Sequence, residues 1–572
     1  MKQRVNTCVW VILLCCLAAG SHAAGIQSAR SAEGTPSLAV GETPPPPAPP
    51  ADRHDPISGP ADGTPGQQQT VTIELDQPQA PRETDEDSQY EAEPLTLTDR
   101  VSSILGLSSS SGNPVGKPWK GLFYDNNFSV LEDPAHRYLL GEEFKDVPLD
   151  LPNLLIMSSE SRLSFGGELR HRFMNEVDRL RPGGPGRSTY DLWRWRNYLD
   201  YHGSDMFRLY VEMLDAAIFN EELPDTGIDI NRFNIQNAFF DITLPDFSET
   251  PLTFRAGRQE LLYGKQRLVS PLDWGNTRRN FEGFKVFRPG RNWNIDLFTT
   301  RPVNTATGNG PLSRFDSEPD RADQSRTFSG VYLTYHGTKD NIVDLYWLWL
   351  NEREPRPGFA DGSRHTIGGR WVTTHAVGDD CCGPSQIWTA EVEGAYQFGT
   401  DNGQVVNAGF ATAELTLALP RLPWKPAVKA LYYWGSGDSD PNDNNNNTFS
   451  VLFPLGHAYW GFIDNLSGQN LQDYSIQASV NPSKRIKILA NMHWFDLANR
   501  NDVLYNVAGV PLGTRGAGTE IGEEFDLVGN IAISPNLSVQ IGQLWFWNGT
   551  FINNSLPRDD ASQFYVQTTL RY

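Results

Sequence analysis

The sequence predicts an all-β fold: a large antiparallel transmembrane β-barrel of about eighteen strands, preceded by a disordered N-terminal extension. Three observations predict it. Two-residue alternation of apolar and polar side chains runs through the last 450 or so residues. Short turns alternate with long polar loops, and the final strand is amphipathic and ends on an aromatic residue. After the first twenty-odd residues, no apolar run is long enough for a membrane helix.

Lys2 and Arg4 precede the apolar run Val9 to Leu17, and Ser21-His22-Ala23 supplies small residues for cleavage. This is the pattern of a secretory signal peptide over residues 1–23. Leu14 before Cys15 is too bulky for a good lipoprotein site. Three of the five cysteines leave with the peptide, so only the adjacent pair Cys381-Cys382 remains. There is no disulfide framework, and no nearby His pair supports a zinc site.

Residues 24–118 are a Pro-rich acidic extension containing PPPPAPP at 44–50, and they read as disordered because they carry too little apolar material to bury a core. Between 25 and 100 there are 14 acids and 4 Arg, a net of −10 out of the chain's −21, so charge must be read locally. Val101 to Leu107 has the pattern of a short weak helix. Trp119 to Tyr124 marks the return of aromatic residues, and residues 119–572 read as one barrel domain without an internal linker.

The strands follow from parity. In 163–173, Leu163, Phe165, Leu169 and Phe173 oppose Glu168, Arg170 and Arg172. In 537–547, Leu537, Val539, Ile541, Trp545 and Trp547 oppose Ser538, Gln540 and Gly542. The same text recurs at 193–201, 207–214, 474–480 and 524–533, with short turns at 481–483 and 534–536 and long polar loops at 302–325, 435–470 and 498–520. The chain ends with Phe564, Val566, Thr568, Leu570 and Tyr572 on one face. A barrel of this size leaves an aqueous lumen, so a conduit is expected.

The charge pattern says what kind. Residues 252–301 hold eight Arg and two Lys against four acids. An Arg facing lipid at mid-membrane costs roughly 2–4 kcal/mol, so strands with alternate Arg turn them inward. Arg170 with Arg172, and Arg194 with Arg196, are therefore expected as inward rungs, the latter pair opposed by Trp193, Trp195 and Leu199. Arg255 joins them, whereas Arg258 has the opposite parity and implies either a bulge near Gly257 or a position outside the membrane. Glu168, Glu212 and Asp241 are the expected inward counter-charges. The alternative is that these side chains form salt bridges that brace the barrel.

No nucleophile elbow, zinc-protease, Walker A or dinucleotide motif appears, so no cofactor, metal site or catalytic residue is assigned and the chain is read as a non-enzyme. Asp438, Asp440 and Asp443 in GSGDSDPNDNNNN lack the spacing of a calcium loop and read as a solvated loop.

Three pieces carry a family resemblance: Gly257-Arg258-Gln259-Glu260-Leu261 with Tyr263-Gly264 and Arg267; Asp273-Trp274-x-Asn276 with Arg278 and Arg279; and His457-x-Tyr459-x-Gly461-x-x-Asp464 with Asn470-Leu471. Together they resemble the alginate export family of outer-membrane β-barrel porins over nearly all of the chain after residue 135. The extension and Lys265 depart from that pattern. The resemblance implies an eighteen-stranded barrel passing an anionic polysaccharide through an Arg-rich constriction, with Arg267, Arg278 and Arg279 in the lumen. His457 and Asp464 are expected to order the loop before the next strand.

The expected location is the outer membrane. The expected partners are an anionic polysaccharide, outer-membrane lipid, the barrel-insertion machinery and periplasmic export proteins, with no nucleic acid. A general or small-anion porin satisfies the same observations, and a barrel-borne enzyme such as a lipid hydrolase is the alternative from a different class.

Overall fold

A computed structural model describes residues 119–128, 131, 139–149, 161–181, 183–245, 250–304, 320–353, 361–378 and 383–572. Residues 1–118, with the expected signal peptide, extension and short helix at 101–107, and Cys381-Cys382 lie outside them.

Eighteen long strands form the wall. They are β1 (Arg162–Val177), β2 (Arg187–Ser204), β3 (Phe207–Phe219), β4 (Asn231–Leu244), β5 (Leu252–Gln259), β6 (Phe281–Arg288), β7 (Trp293–Asn304), β8 (Arg326–Thr338) and β9 (Asn341–Glu352). The circuit continues through β10 (Gly362–Val377), β11 (Gln386–Asp401), β12 (Gln404–Ala418), β13 (Ala427–Gly435), β14 (Leu471–Ser483), β15 (Ile486–Leu497), β16 (Glu520–Ala532), β17 (Leu537–Asn548) and β18 (Ala561–Arg571). Each pairs antiparallel with its neighbours, and β18 returns to β1 in the register Glu168↔Arg571 to Val177↔Ser562, which closes the barrel. Closure leaves no unpaired edge, which lipid would not tolerate.

The two faces separate as the alternation requires. On β2, Tyr190, Leu192, Arg194, Arg196 and Tyr198 are buried inside, while Trp193, Trp195 and Leu199 face outward. Outward aromatics gather toward both ends of the strands, with Trp293, Trp371 and Trp388 near the short-turn end and Tyr396, Tyr474 and Trp547 near the other, the interfacial positions that suit amphipathic rings. Two-residue turns at 205–206, 339–340 and 484–485 lie on the short-turn side, which also holds the C-terminus.

One expectation about the loops is corrected. The segment 435–470 is polar only in its first part. From Phe449 to Leu466 it carries Leu452, Phe453, Leu455, Tyr459, Trp460, Phe462 and Ile463, all buried, and it folds into the bore instead of standing in solvent. The segment 260–280 does the same with Leu261, Leu268, Val269 and Trp274. β5 and β6 are only eight residues long, against eighteen in β2, because the chain leaves the wall at Glu260 to enter the bore. The two inward loops are joined by backbone hydrogen bonds from Phe453 N to Leu268 O and from Leu455 N to Gln266 O, both 2.9 Å.

Candidate functional site: the inward loops and the lumen arginines

Loop 260–280 spans the bore. At one end it meets β1 and β2, where Arg170 donates to the carbonyls of Asp273 (2.7 Å), Trp274 (3.3 Å) and Gly275 (2.5 Å). Arg172 donates to Trp274 O and to Gln567 Oε1, both at 2.8 Å, and its guanidinium lies 3.5 Å above the Trp274 ring. Arg194 bridges Glu168 (2.6 Å) and the Asp273 carboxylate (2.7 Å). Asn276 Nδ2 reaches three carbonyls, those of Trp193, Ala217 and Asp229, at 2.9–3.0 Å, so one side chain pins the loop to both β2 and β3. That geometry explains an amide at this position: an NH2 group donates twice and can share its hydrogens.

At its other end the same loop crosses to β11 and β12. Arg267 bonds Glu391 (2.7 Å), Glu393 (2.5 Å) and Glu414, while Lys265 bonds Glu414 (2.7 Å) and Glu391 (3.1 Å). Arg278 pairs with Glu260 (2.5 Å) and with Asp273. Arg279 donates to Ser270 O at 3.2 Å and stands 5.2 Å from the Phe453 ring.

Arg196 pairs with Glu212 at 2.6 Å and Arg255 with Asp241 at 2.7 Å. All of the sequence-chosen Arg except the half-buried Arg279 are therefore buried, and each is bonded to the wall or to the inward loop. Arg258 sits at the rim: the β4–β5–β6 register runs through Gly257 without a bulge, and Arg258 reaches Ile235 O, Asp320 O and Glu282. At Gly257, with φ of +132°, a Cβ would stand 2.2 Å from Ala238 O, so the position admits only glycine without a shift of the wall.

The third motif belongs to the other inward loop. His457 stacks on Trp274 with ring centroids 4.0 Å apart, and its Nδ1 lies 2.9 Å from Asp464 Oδ2. Ile463 N and Phe462 N donate to Glu524 and Asp526 of β16, and Asn470 Nδ2 holds Asn499 O and Val503 O. The two loop motifs thus meet ring on ring in the bore.

The model of the alginate export family matches residues 161–566. The chain belongs to this family. No curated protein matches the sequence. Among solved structures, Pseudomonas aeruginosa OccK5 (OpdH) is similar at 13% identity with a TM-score of 0.47, covering 72% of this chain and 98% of that one. The outer membrane protein OprD of Pseudomonas aeruginosa is similar at 9% identity and 0.47, covering 72% and 93%. As a closed barrel of the alginate export family, the protein is an outer-membrane channel.

Sequence reading missed several members of this lumen. Glu391 and Glu393 alternate on one strand, so the rule that turns alternate Arg inward applies equally to them. Arg208, bound to Asp200 at 2.6 Å, has no such twin on its strand. Trp119 to Tyr124 stood out only as aromatic residues; they lie within the barrel.

Proposed function

We propose that this channel passes an anionic polysaccharide or oligosaccharide, alginate-like in carrying one carboxylate per sugar, and that the lumen arginines are its contacts. The observation that carries this reading is a set of three guanidiniums, Arg170, Arg172 and Arg279, whose hydrogen bonds among the described residues go to neutral oxygens, chiefly main-chain carbonyls of loop 260–280. A carboxylate is a stronger partner for a guanidinium than a carbonyl is, and it is forked to match. A shift of loop 260–280 would hand these donors to a passing uronate. The neighbouring pairs Arg194–Glu168, Arg196–Glu212 and Arg255–Asp241 would keep each contact weak, as transport requires.

A general or small-anion porin is favoured by one specific feature, the near balance of acids and bases around Arg267. The two readings separate in a planar bilayer. A polyanion channel is blocked, event by event, by oligouronates and not by neutral oligosaccharides of equal length. Ready conduction of chloride and small sugars without block at high oligouronate concentration would sink the polysaccharide reading and leave the porin.

A further inference from the structure

Residues 119–128 occupy a cradle on the lumen face of the wall, in the half nearer the short turns, which in outer-membrane barrels is the periplasmic half. Its floor is an aromatic ladder from three adjacent strands: Tyr198 of β2 and Tyr210 of β3 stack at 5.8 Å and 17°, and Tyr210 and Phe239 of β4 at 5.2 Å and 18°. Arg196, Arg208 and Arg255 flank the ladder, each already paired with a wall carboxylate, Glu212, Asp200 and Asp241, so each offers a ligand only the N–H groups that its pair leaves over. A turn of 3-10 helix at Phe123–Asp125 sets two rings into it. Phe123 lies 5.6 Å from Tyr198 with the Arg196 guanidinium 3.9 Å from its ring. Tyr124 meets Tyr210 and Phe239 edge-on at 5.6 and 5.1 Å.

The main chain of the segment takes the guanidinium donors. Arg208 bonds Tyr124 O at 2.6 Å and Arg278 bonds Gly121 O at 3.2 Å, while the Tyr124 hydroxyl donates to Glu260 O at 2.7 Å, where loop 260–280 begins. No strand pairing holds the segment. Its tether does pair: Val147–Pro148 add two residues to the edge of β1 at Leu163 and Arg162.

Flat apolar faces in a row, flanked by forked cationic donors, fit a chain of sugar acids. The C–H face of each ring packs on an aromatic ring, and each carboxylate takes a guanidinium N–H that the wall carboxylate leaves over, as Tyr124 O does on Arg208. The segment offers the cradle the same two things, rings for the ladder and oxygens for the arginines.

We propose that this cradle is the periplasmic-side binding subsite for units of the anionic sugar chain, and that residues 119–128 are a tethered competitor that must leave before it fills. The proposal rests on the polyanion reading given above. A tethered competitor acts at high effective concentration, and it lowers the apparent affinity of the solute by the fraction of time the cradle is empty.

The test uses the full chain in planar bilayers with oligouronate added from the periplasmic side. Phe123→Ala/Tyr124→Ala is compared with wild type, with Phe123→Leu/Tyr124→Leu as the milder variant should the first not fold, and barrel formation is read from heat-modifiable gel mobility. The variant is expected to conduct more and to be half-blocked at a concentration lower by about tenfold or more, since two buried rings no longer hold the segment. A free peptide of residues 119–128 should raise that concentration again. A blockable wild type whose variant keeps both the conductance and the half-blocking concentration overturns the competitor and leaves the channel reading standing. Absence of oligouronate block in every form overturns both.

Discussion

Replacing Arg267 separates a bracing role from a ligand-binding one. The guanidinium is fully enclosed and bonds three carboxylates, those of Glu391, Glu393 and Glu414. Around it stand four bases (Arg267, Lys265, Arg370, Lys429) and four acids, the three glutamates together with Asp344, which Arg370 holds at 2.7 Å. The cluster is neutral as built, and Arg267→Met leaves it with one uncompensated buried negative charge. Breaking a buried pair from one side costs about 3–5 kcal/mol, because the remaining charge keeps its desolvation penalty without its partner. Unfolding of the refolded barrel by denaturant, followed by tryptophan fluorescence, should show a loss of that order. Arg267→Met/Glu393→Gln, which removes one charge of each sign, should recover most of it. A loss below about 1 kcal/mol, with the barrel intact and anion selectivity changed, would refute the bracing argument and return Arg267 to the solute.

Three further outcomes follow from the same geometry. Asn276→Ala should cost about 1–3 kcal/mol and make single-channel current noisier, since it frees loop 260–280 from three carbonyls; quiet current at unchanged stability would refute the pinning role. Gly257→Ala should cost about 1–3 kcal/mol, through a positive φ and a Cβ driven against Ala238 O, and an unchanged unfolding midpoint would count against it. Lys145, with its ammonium 5.7 Å from Trp119 and 5.4 Å from Phe128, is pulled down to about 8 by burial, against which Glu143 works. On the competitor reading, release of Trp119 and Phe128 rehydrates an ammonium that keeps its bond to Phe165 O. Between about 8 and the ordinary value of 10.5, the seated form of residues 119–128 therefore binds fewer protons than the released form, and seating strengthens as pH rises through that window. Conductance should therefore fall from pH 7.5 to 9.5 in wild type and stay level in Lys145→Met; a rise in wild type would reverse the assignment.

Much of the wall was legible because lipid enforces a two-residue period. Arg194 and Arg196 had to face inward once Trp193 and Trp195 faced out, and that parity needs no partner to be known. What the lumen side chains bond was not legible in the same way. Glu391 reaches Arg267 across the bore only through loop 260–280, whose path is set by tertiary packing and not by periodicity. A signal for the inward loops was nevertheless present. Phe449 to Leu466 concentrates large apolar residues that no solvent-facing loop of a barrel needs, just as Leu261 to Trp274 does. The N-terminal segment gave the faintest sign, a cluster of aromatics in WKGLFYDNNF beside a stretch without a core, and its seat depends on rings brought together by three separate strands.

An eighteen-stranded wall alone encloses a bore wide enough for water and many solutes, so the wall does not set what passes. On the polyanion reading, selectivity falls to pieces that are not wall: two loops joined by two backbone hydrogen bonds and a ring stack, and a segment held by two aromatic side chains and two guanidiniums. Arg170 and Arg172 meet main-chain carbonyls where Arg194 and Arg267 meet carboxylates, which divides the arginines into those that would gain a first carboxylate partner from an anionic solute and those that already have one. An anionic solute therefore gains most by displacing loop 260–280 from β1, and least by attacking the Arg267 cluster. Loss of Arg170 or Arg172 should weaken oligouronate block and, by leaving carbonyls of loop 260–280 unpaired, cost about 1–3 kcal/mol as Asn276→Ala does, whereas loss of Arg267 should cost more and leave block unchanged.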